Sequence, residues 1–356
     1  MAPFKSTRSK DASKLIEGFR SVDVSGNGPI LNSGFKTNRT VLPVSATGGN
    51  TSAGLTPGNG YTYHVFTSPG NLVVSQGGLI EVFGVAGGGG GCVCTPSMVG
   101  ASAGGGGGGI FYITAFNCAV GTHPVAVGEG AGVAPAPASG DSHNGGDTTL
   151  TDVTRSITLT AKGGGWGGGY PGAGSPGGSG GGTGYAQPAR TATQPTQNGP
   201  TSGLGASEIA SLTNYGNDSG TMDNNSPSGY GCGGGGGAGS AGGPGATTNK
   251  GGDGQPFPQF AAPLISPDVP GSPDWSSTVG PTGLYGGGGG STGGPGSNVG
   301  EGGTGGGRDA VPNPSTALNG IKHTGGGGGG QQNSGGNAPT GGQGGDGILV
   351  VRYSST

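Results

Sequence analysis

Glycine fills 96 of the 356 positions, while charged residues make up 9% and hydrophobic residues 29%; ordinary globular domains carry about 7% glycine and about 25% charged residues. So thin an apolar complement cannot give every segment a core of side chains, and a net charge of −3, from 14 Lys+Arg against 17 Asp+Glu, rules out the clustered cations of a nucleic-acid binder. No apolar run approaches the ~18 residues of a membrane span, and the opening MAPFKSTRSKDASKLIEGF lacks the apolar core of a secretory signal, so a soluble product of the cytosol is expected.

Residues 1–60 read as a separate region. Ser9 to Phe19 fits a short amphipathic helix, with Leu15, Ile16 and Phe19 on one face and Lys10, Lys14 and Glu17 on the other. Seven of the 14 cations fall in this region: Lys5, Arg8, Lys10, Lys14, Arg20, Lys36 and Arg39. A charged leader before a nearly neutral body suggests an attachment segment with Leu15, Ile16 and Phe19 as its contact face; the alternative is a solvated tail.

From Tyr61 the pattern changes. YTYHVFT alternates in period two and ends at the turn signal SPGN, and NLVVS and LIEVFGVA follow. Beyond two glycine runs, Gly87–Gly91 and Gly104–Gly109, come IFYITAF, PVAVG, ITLTAK and finally ILVVRY at Ile348–Tyr353. Several short strands with tight turns predict a small β-sandwich or partial barrel. The β framework is placed at 61–162 and completed by 346–356, with a glycine-rich insert over 163–345 and almost no helix. Strand-like segments that bracket the insert oppose reading the chain as a disordered linker.

The insert carries a loose internal repeat: YGCGGGGGAGSAGGPG from Tyr230 resembles YGGGGGSTGGPG from Tyr285. Gly-poor stretches at roughly 185–230, 246–284 and 308–324 read as long connecting loops and not as further strands. An unbroken glycine run suits neither helix, at about 0.8–1.0 kcal/mol per residue against Ala, nor an isolated strand without side chains to pack. Polyproline II is left, with three residues per turn and no internal hydrogen bonds. Its amides point sideways, so burial demands partners on neighbouring threads. The expectation is a cooperative bundle of polyproline II threads, seeded by the two runs tied to strands.

Other motifs carry little. Four cysteines (Cys92, Cys94, Cys118, Cys232) in a chain of this length are not a disulfide framework, and Cys92-Val93-Cys94 is too tight for paired zinc ligands. GGQGGDGIL at Gly341–Leu349 is a single calcium nonapeptide where stacked copies are needed, which leaves Asp346 a turn residue. GGSGG around Ser179 matches G-x-S-x-G without the strand and helix that position a nucleophile. His64, His123, His143 and His323 lack metal spacing, and nothing singles out Asp141 and Asp147. The sequence therefore predicts no enzyme, no metal and no cofactor. Five aromatics in Gly-poor segments, Tyr185, Tyr215, Phe257, Phe260 and Trp275, suit saccharide or protein contacts as antibody-loop aromatics do. The alternative is that they cap the glycine bundle or cover its edges.

YTYHVFTSPGNLVVSQGGLIEVFGVAGGGGG and the closing GGDGILVVRY resemble the glycine-rich domain of structural proteins of marine tailed phages, and the leader is similar to leaders on such virion proteins. The insert resembles the fibre-tip adhesins of T-even-type phages, in which polyglycine helices stack and variable loops at their end touch a bacterial receptor; a β framework around the insert is not that adhesin pattern. The resemblance implies a virion component that joins other virion proteins through its N-terminal segment and touches a bacterial surface receptor, protein or saccharide. The alternative is a capsid or tail decoration protein that binds virion subunits alone. No nucleic acid and no membrane span are expected.

Overall fold

A computed structural model describes residues 43–92, 101–132, 144–169, 173–184, 203–222, 231–245, 247–270, 273–293, 299–312, 315–332 and 340–355. The chain divides into two units, Met1–Val41 and Leu42–Thr356. The predicted leader helix lies outside the described residues.

Two five-stranded antiparallel sheets form a sandwich. The first has the order β1-β3-β6-β7-β8, from Ser45–Thr47, Gly70–Gln76, Gly121–Ala126, Thr148–Asp152 and Ile157–Ala161. The second has the order β2-β12-β4-β5-β9, from Tyr61–Phe66, Ile348–Ser354, Gly78–Val85, Ile110–Cys118 and Leu212–Tyr215. The last strand, β12, is therefore internal to the sheet: Val350 pairs with Val65 on one side and Phe83 on the other. A two-stranded ribbon, β10 (Gln255–Pro256) with β11 (Leu284–Tyr285), stands apart from both sheets.

The strand patterns follow from what each face meets. In β3 and β6 buried and exposed residues alternate, so the first sheet turns one face to the core and the other to water. The second sheet is covered on both faces. One packs Phe66, Ile80, Val82, Phe111, Ile113, Leu349 and Val351 against Leu72, Leu150 and Leu159 of the first sheet. The other packs Tyr63, Val65, Phe83, Val85 and Val350 under residues 257–285, which contribute Phe257, Phe260, Ile265, Trp275 and Tyr285. Ile265 and Trp275 are carried by short helices, α2 (Ala262–Ile265) and α3 (Pro273–Val279); a further helix, α1, is Ala206–Ser211. The Gly-poor stretches predicted as plain loops thus hold three strands and three α-helices among the described residues. A two- to four-residue strand has no readable period of its own and forms only because a partner edge is present.

At one end of the sandwich the strands feed glycine threads: the chain leaves the two sheets after β4, β6, β8 and β9 and re-enters before β5, β7 and β12, with the β10–β11 ribbon set between threads. At the opposite end β3–β4, β5–β6 and β7–β8 are joined by short turns. The glycine runs are neither helix nor ladder, and their hydrogen bonds repeat every third residue. Ala86, Gly89 and Cys92 donate in turn to Gly109, Gly106 and Ala103. Along Gly104–Gly109, donors 105 and 108 reach Gly328 and Gly325, while donors 106 and 109 reach Gly165 and Lys162. That period is the polyproline II turn. Partners of this one thread lie in six others, at Ala86–Gly89, Lys162–Gly165, Ser179–Gly182, Gly236, Gly289 and Gly325–Gly328. The central thread is surrounded, as the sequence predicts.

Contact this close leaves no room for a methyl group. A Cβ on Gly105 would collide with the Gly89 carbonyl, and one on Gly235 with the Gly105 carbonyl. Gly132 is exposed and has nothing within 4 Å of that position. Gly235→Ala is therefore expected to lower the unfolding free energy by about 3 kcal/mol, while Gly132→Ala stays within about 0.5 kcal/mol. Urea unfolding of the two variants checks this, and equal midpoints would refute the packing.

Candidate functional site

Of the aromatics singled out in the sequence, four fall among the described residues and Tyr185 does not; Leu15, Ile16 and Phe19 also lie outside them. Phe257, Phe260 and Trp275 are 3%, 0% and 1% exposed, which corrects the expectation that they face a receptor. Phe257 and Phe260 each sit 4.6 Å from Phe83, centroid to centroid, the second of them stacked. Tyr215 is half-buried with its ring edge-on to Phe257 at 5.3 Å. The indole N–H of Trp275 donates to the carbonyl of His323 at 3.0 Å. The physical reason is the second sheet's apolar outer face, which the 257–285 segment covers. These side chains cover an apolar face, close to the alternative that the sequence left open.

Most polar groups around the two sheets are paired with one another, although the buried Arg352 Nε has no partner. Arg352 pairs with Glu81 at 2.9 Å and lies over the rings of Tyr61 and Phe260 at 4.4 and 5.3 Å. Tyr112 donates its hydroxyl to Glu81, and burial, with the Glu81 charge added, pushes its pKa up to about 12. Arg155 and Glu208 form a bidentate pair. Burial alone would push the Glu208 carboxyl up, but hydrogen bonds from Arg155, Gly205 and Asn117 outweigh it and hold the carboxyl below its usual range. His64 joins the two sheets: Nδ1 donates to Gly48 O at 2.8 Å and Nε2 accepts from the Tyr353 hydroxyl at 3.0 Å.

The structure brings together one set of reactive side chains that the sequence leaves scattered. Cys118, His123 and Asp152 meet in the interior, with one potential ligand atom each within 4.8 Å of the others. Burial, with the Asp152 charge next, pushes the Cys118 thiol up to about 12; a nucleophilic cysteine needs the opposite shift and an open path. Spacing alone does not find this set, because Cys118 and His123 are close in sequence but Asp152 comes from a strand some thirty residues on. Ser179 lies inside a glycine thread, where its carbonyl accepts from Gly165. Asp346 accepts the Gly130 N–H at 2.9 Å on the wall of a cleft of about 290 Å³ that Asp274, Arg308, Asn319 and Lys322 also line.

The remaining candidate is the end of the bundle away from the sheets. There glycine gives way to Ser, Thr and Gln, whose side chains take over the hydrogen bonds that a further thread would have made. Ser102 N–H donates to Thr292 Oγ1 at 2.7 Å and its hydroxyl to the Gln331 carbonyl at 2.6 Å. Ser291 accepts from Gly104 N–H and donates to Gly233 O, both at 2.8 Å, and Gln332 Nε2 reaches Gly293 O at 3.1 Å. Main-chain bonds from Cys232 to Thr292, Gly233 to Thr183, Ala103 to Gly168 and Val311 to Gly330 complete one connected plate. Segments 93–100, 170–172, 223–230, 294–298, 313–314 and 333–339 join threads next to this plate and lie outside the described residues.

A family model described as a glycine-rich domain matches residues 66–354. None of the curated proteins matches the chain. No helix among the described residues is long and apolar enough to cross a membrane.

Two measurements follow from these placements. Phe260→Ala is expected to cost about 3–5 kcal/mol of stability, measured by denaturant unfolding; a loss below 1 kcal/mol would mean that the ring is not part of a core. Burial also holds His64 and His323 below the ordinary imidazole value of 6.5. The unfolded chain then binds more protons, so stability is present above about pH 6.5 and is lost as the pH falls through the lowered values. Melting temperature should drop between about pH 7.5 and pH 5, and His64→Gln should reduce the drop. An unchanged drop in that variant would remove His64 as a cause.

Proposed function

The chain belongs to the glycine-rich domain family, and we propose that it serves as a structural protein of a bacteriophage virion, at or near a tail fibre, presenting the far end of its bundle to a receptor on the host surface. The reading takes the N-terminal segment, with Leu15, Ile16 and Phe19, as the attachment to other virion proteins. It takes the sandwich as the support and the protein as a non-enzymatic binder assembled into virions after synthesis in the host cytoplasm.

One observation carries the reading. The threads end together on a plate whose Ser, Thr and Gln side chains are hydrogen-bonded to neighbouring backbone. Segments that start from fixed, closely spaced points lose less freedom when they bind, and that saving goes directly into affinity. Their composition can also change without touching a side-chain core, because the bundle beneath them is held by main chain. A receptor-contacting tip needs both properties.

The test is adsorption. Fluorescently labelled full-length protein should bind cells of the phage's host, and an antibody to residues 93–100 and 223–230, which join threads beside the plate, should block both that binding and infection. Gly235→Ala, which disturbs the bundle, should weaken binding at least about tenfold. Absence of binding, with immunogold label confined to the capsid or tail wall, would replace this reading with a decoration protein that contacts virion subunits alone.

A further inference from the structure

At the end of the sandwich opposite the bundle, Cys118 closes β5, His123 lies in β6 and Asp152 closes β7. All three are buried. His123 Nε2 is 2.8 Å from the Ala119 carbonyl, which can only accept, so Nε2 carries the hydrogen and in the neutral ring Nδ1 presents a bare lone pair. That nitrogen has no hydrogen-bond partner. The nearest charged group is Asp152 Oδ1 at 3.6 Å, itself an acceptor. Two acceptors facing each other without a proton between them are unfavourable in a dry interior. A cation placed between them reverses that.

We propose that Cys118, His123 and Asp152 bind a single divalent metal ion of the zinc type. Thiolate, imidazole and carboxylate are the three ligand classes that zinc takes from proteins. Charge favours the same ion: a dication with one thiolate and one carboxylate is neutral overall, and net charge is what the interior penalises most. On binding, the Cys118 S–H bond breaks, an S–metal bond forms and the proton leaves to solvent, with no change of oxidation state.

An outer shell is already in place. The Nε2–H of His123 is held by a backbone carbonyl, as metal-bound imidazoles usually are. Asp152 Oδ1 accepts the N–H groups of Thr154 and Arg155, each at 3.1 Å, while Oδ2 has a long contact of 3.5 Å to Ala119 N–H. Capping the β7–β8 turn accounts for Asp152 but not for the bare nitrogen or the thiol beside it. Because β5 belongs to one sheet and β6 and β7 to the other, the ion would staple the sheets together. All three side chains are buried, which gives the ion a structural role.

Full-length protein stripped with chelator and titrated with Co²⁺ alone should bind one equivalent and develop a thiolate-to-cobalt charge-transfer band that Zn²⁺ displaces. The band should survive in Cys92→Ser/Cys94→Ser/Cys232→Ser and vanish in Cys118→Ser. Zn²⁺ at about 100 times its Kd should raise the melting temperature by about 5 °C in the wild type and the triple variant, and not in His123→Gln. Absence of the band in wild-type protein, or its persistence without Cys118, would overturn the proposal. Should Cys118→Ser not fold, loss of the band in the triple variant would overturn it equally.

Discussion

Main-chain hydrogen bonds between glycine threads are the interaction on which this molecule depends. Fixing a residue costs about 1–2 kcal/mol, and more for glycine, while each hydrogen bond returns a net of about 0.5–1.5 kcal/mol. Two threads side by side cannot close that gap. Gly104–Gly109 can, because the thread donates or accepts toward six neighbours and leaves almost no amide to be desolvated without a partner. Such an assembly is cooperative by construction, since removing one thread strips bonds from every thread that touches it. It also needs a nucleus, which the sandwich supplies. Val85 and Ile110, paired across β4 and β5, set the starting separation of the first two runs before any bundle exists.

Two kinds of core therefore share one chain. In the sandwich, apolar side chains are removed from water, and Phe66, Val82 and Leu349 tolerate substitution by volume. In the bundle the fitted surfaces are mostly carbonyls and α-carbons, and at interior glycines such as Gly105 and Gly235 even a methyl group is too large. The second sheet links the two regimes. Its outer face is buried under a cover that is itself threaded between glycine runs, from Gln255 to Tyr285. A chain with 29% hydrophobic residues thus concentrates them where side chains decide the packing and leaves the rest to backbone.

How much of this the sequence reveals depends on where the period lies. Strands β2, β4, β5, β8 and β12 are legible because their apolar residues alternate or run unbroken between turn signals. The bundle is legible because a glycine run excludes every other regular structure. Strands β7 and β9–β11 are not, being short and polar and formed only against a neighbour's edge. Phe257, Phe260 and Trp275 mislead for a related reason: flanking Ser, Asn and Pro suggest a surface, and only the three-dimensional fold shows an apolar sheet face above them. Cys118 and His123 stand five residues apart across the β5–β6 turn, too little to mark a site alone, and Asp152 joins them only because β7 pairs with β6.

The bonding period also limits how such a chain can vary. A polyproline II thread turns 120° per residue, so the donors of residues 105 and 108 meet one neighbour while those of 106 and 109 meet another. One extra residue inside the thread rotates every later donor by a third of a turn, onto a neighbour whose carbonyls stand at the wrong height. Within a thread, then, only changes in multiples of three preserve the pattern, and even these shift the ends. At the thread ends Ser102, Thr292 and Gln331 replace part of the main-chain pattern with bonds that involve side chains. Side-chain bonds of that kind do not depend on the threefold period, so the register that binds the interior of each thread is relaxed where the described thread ends.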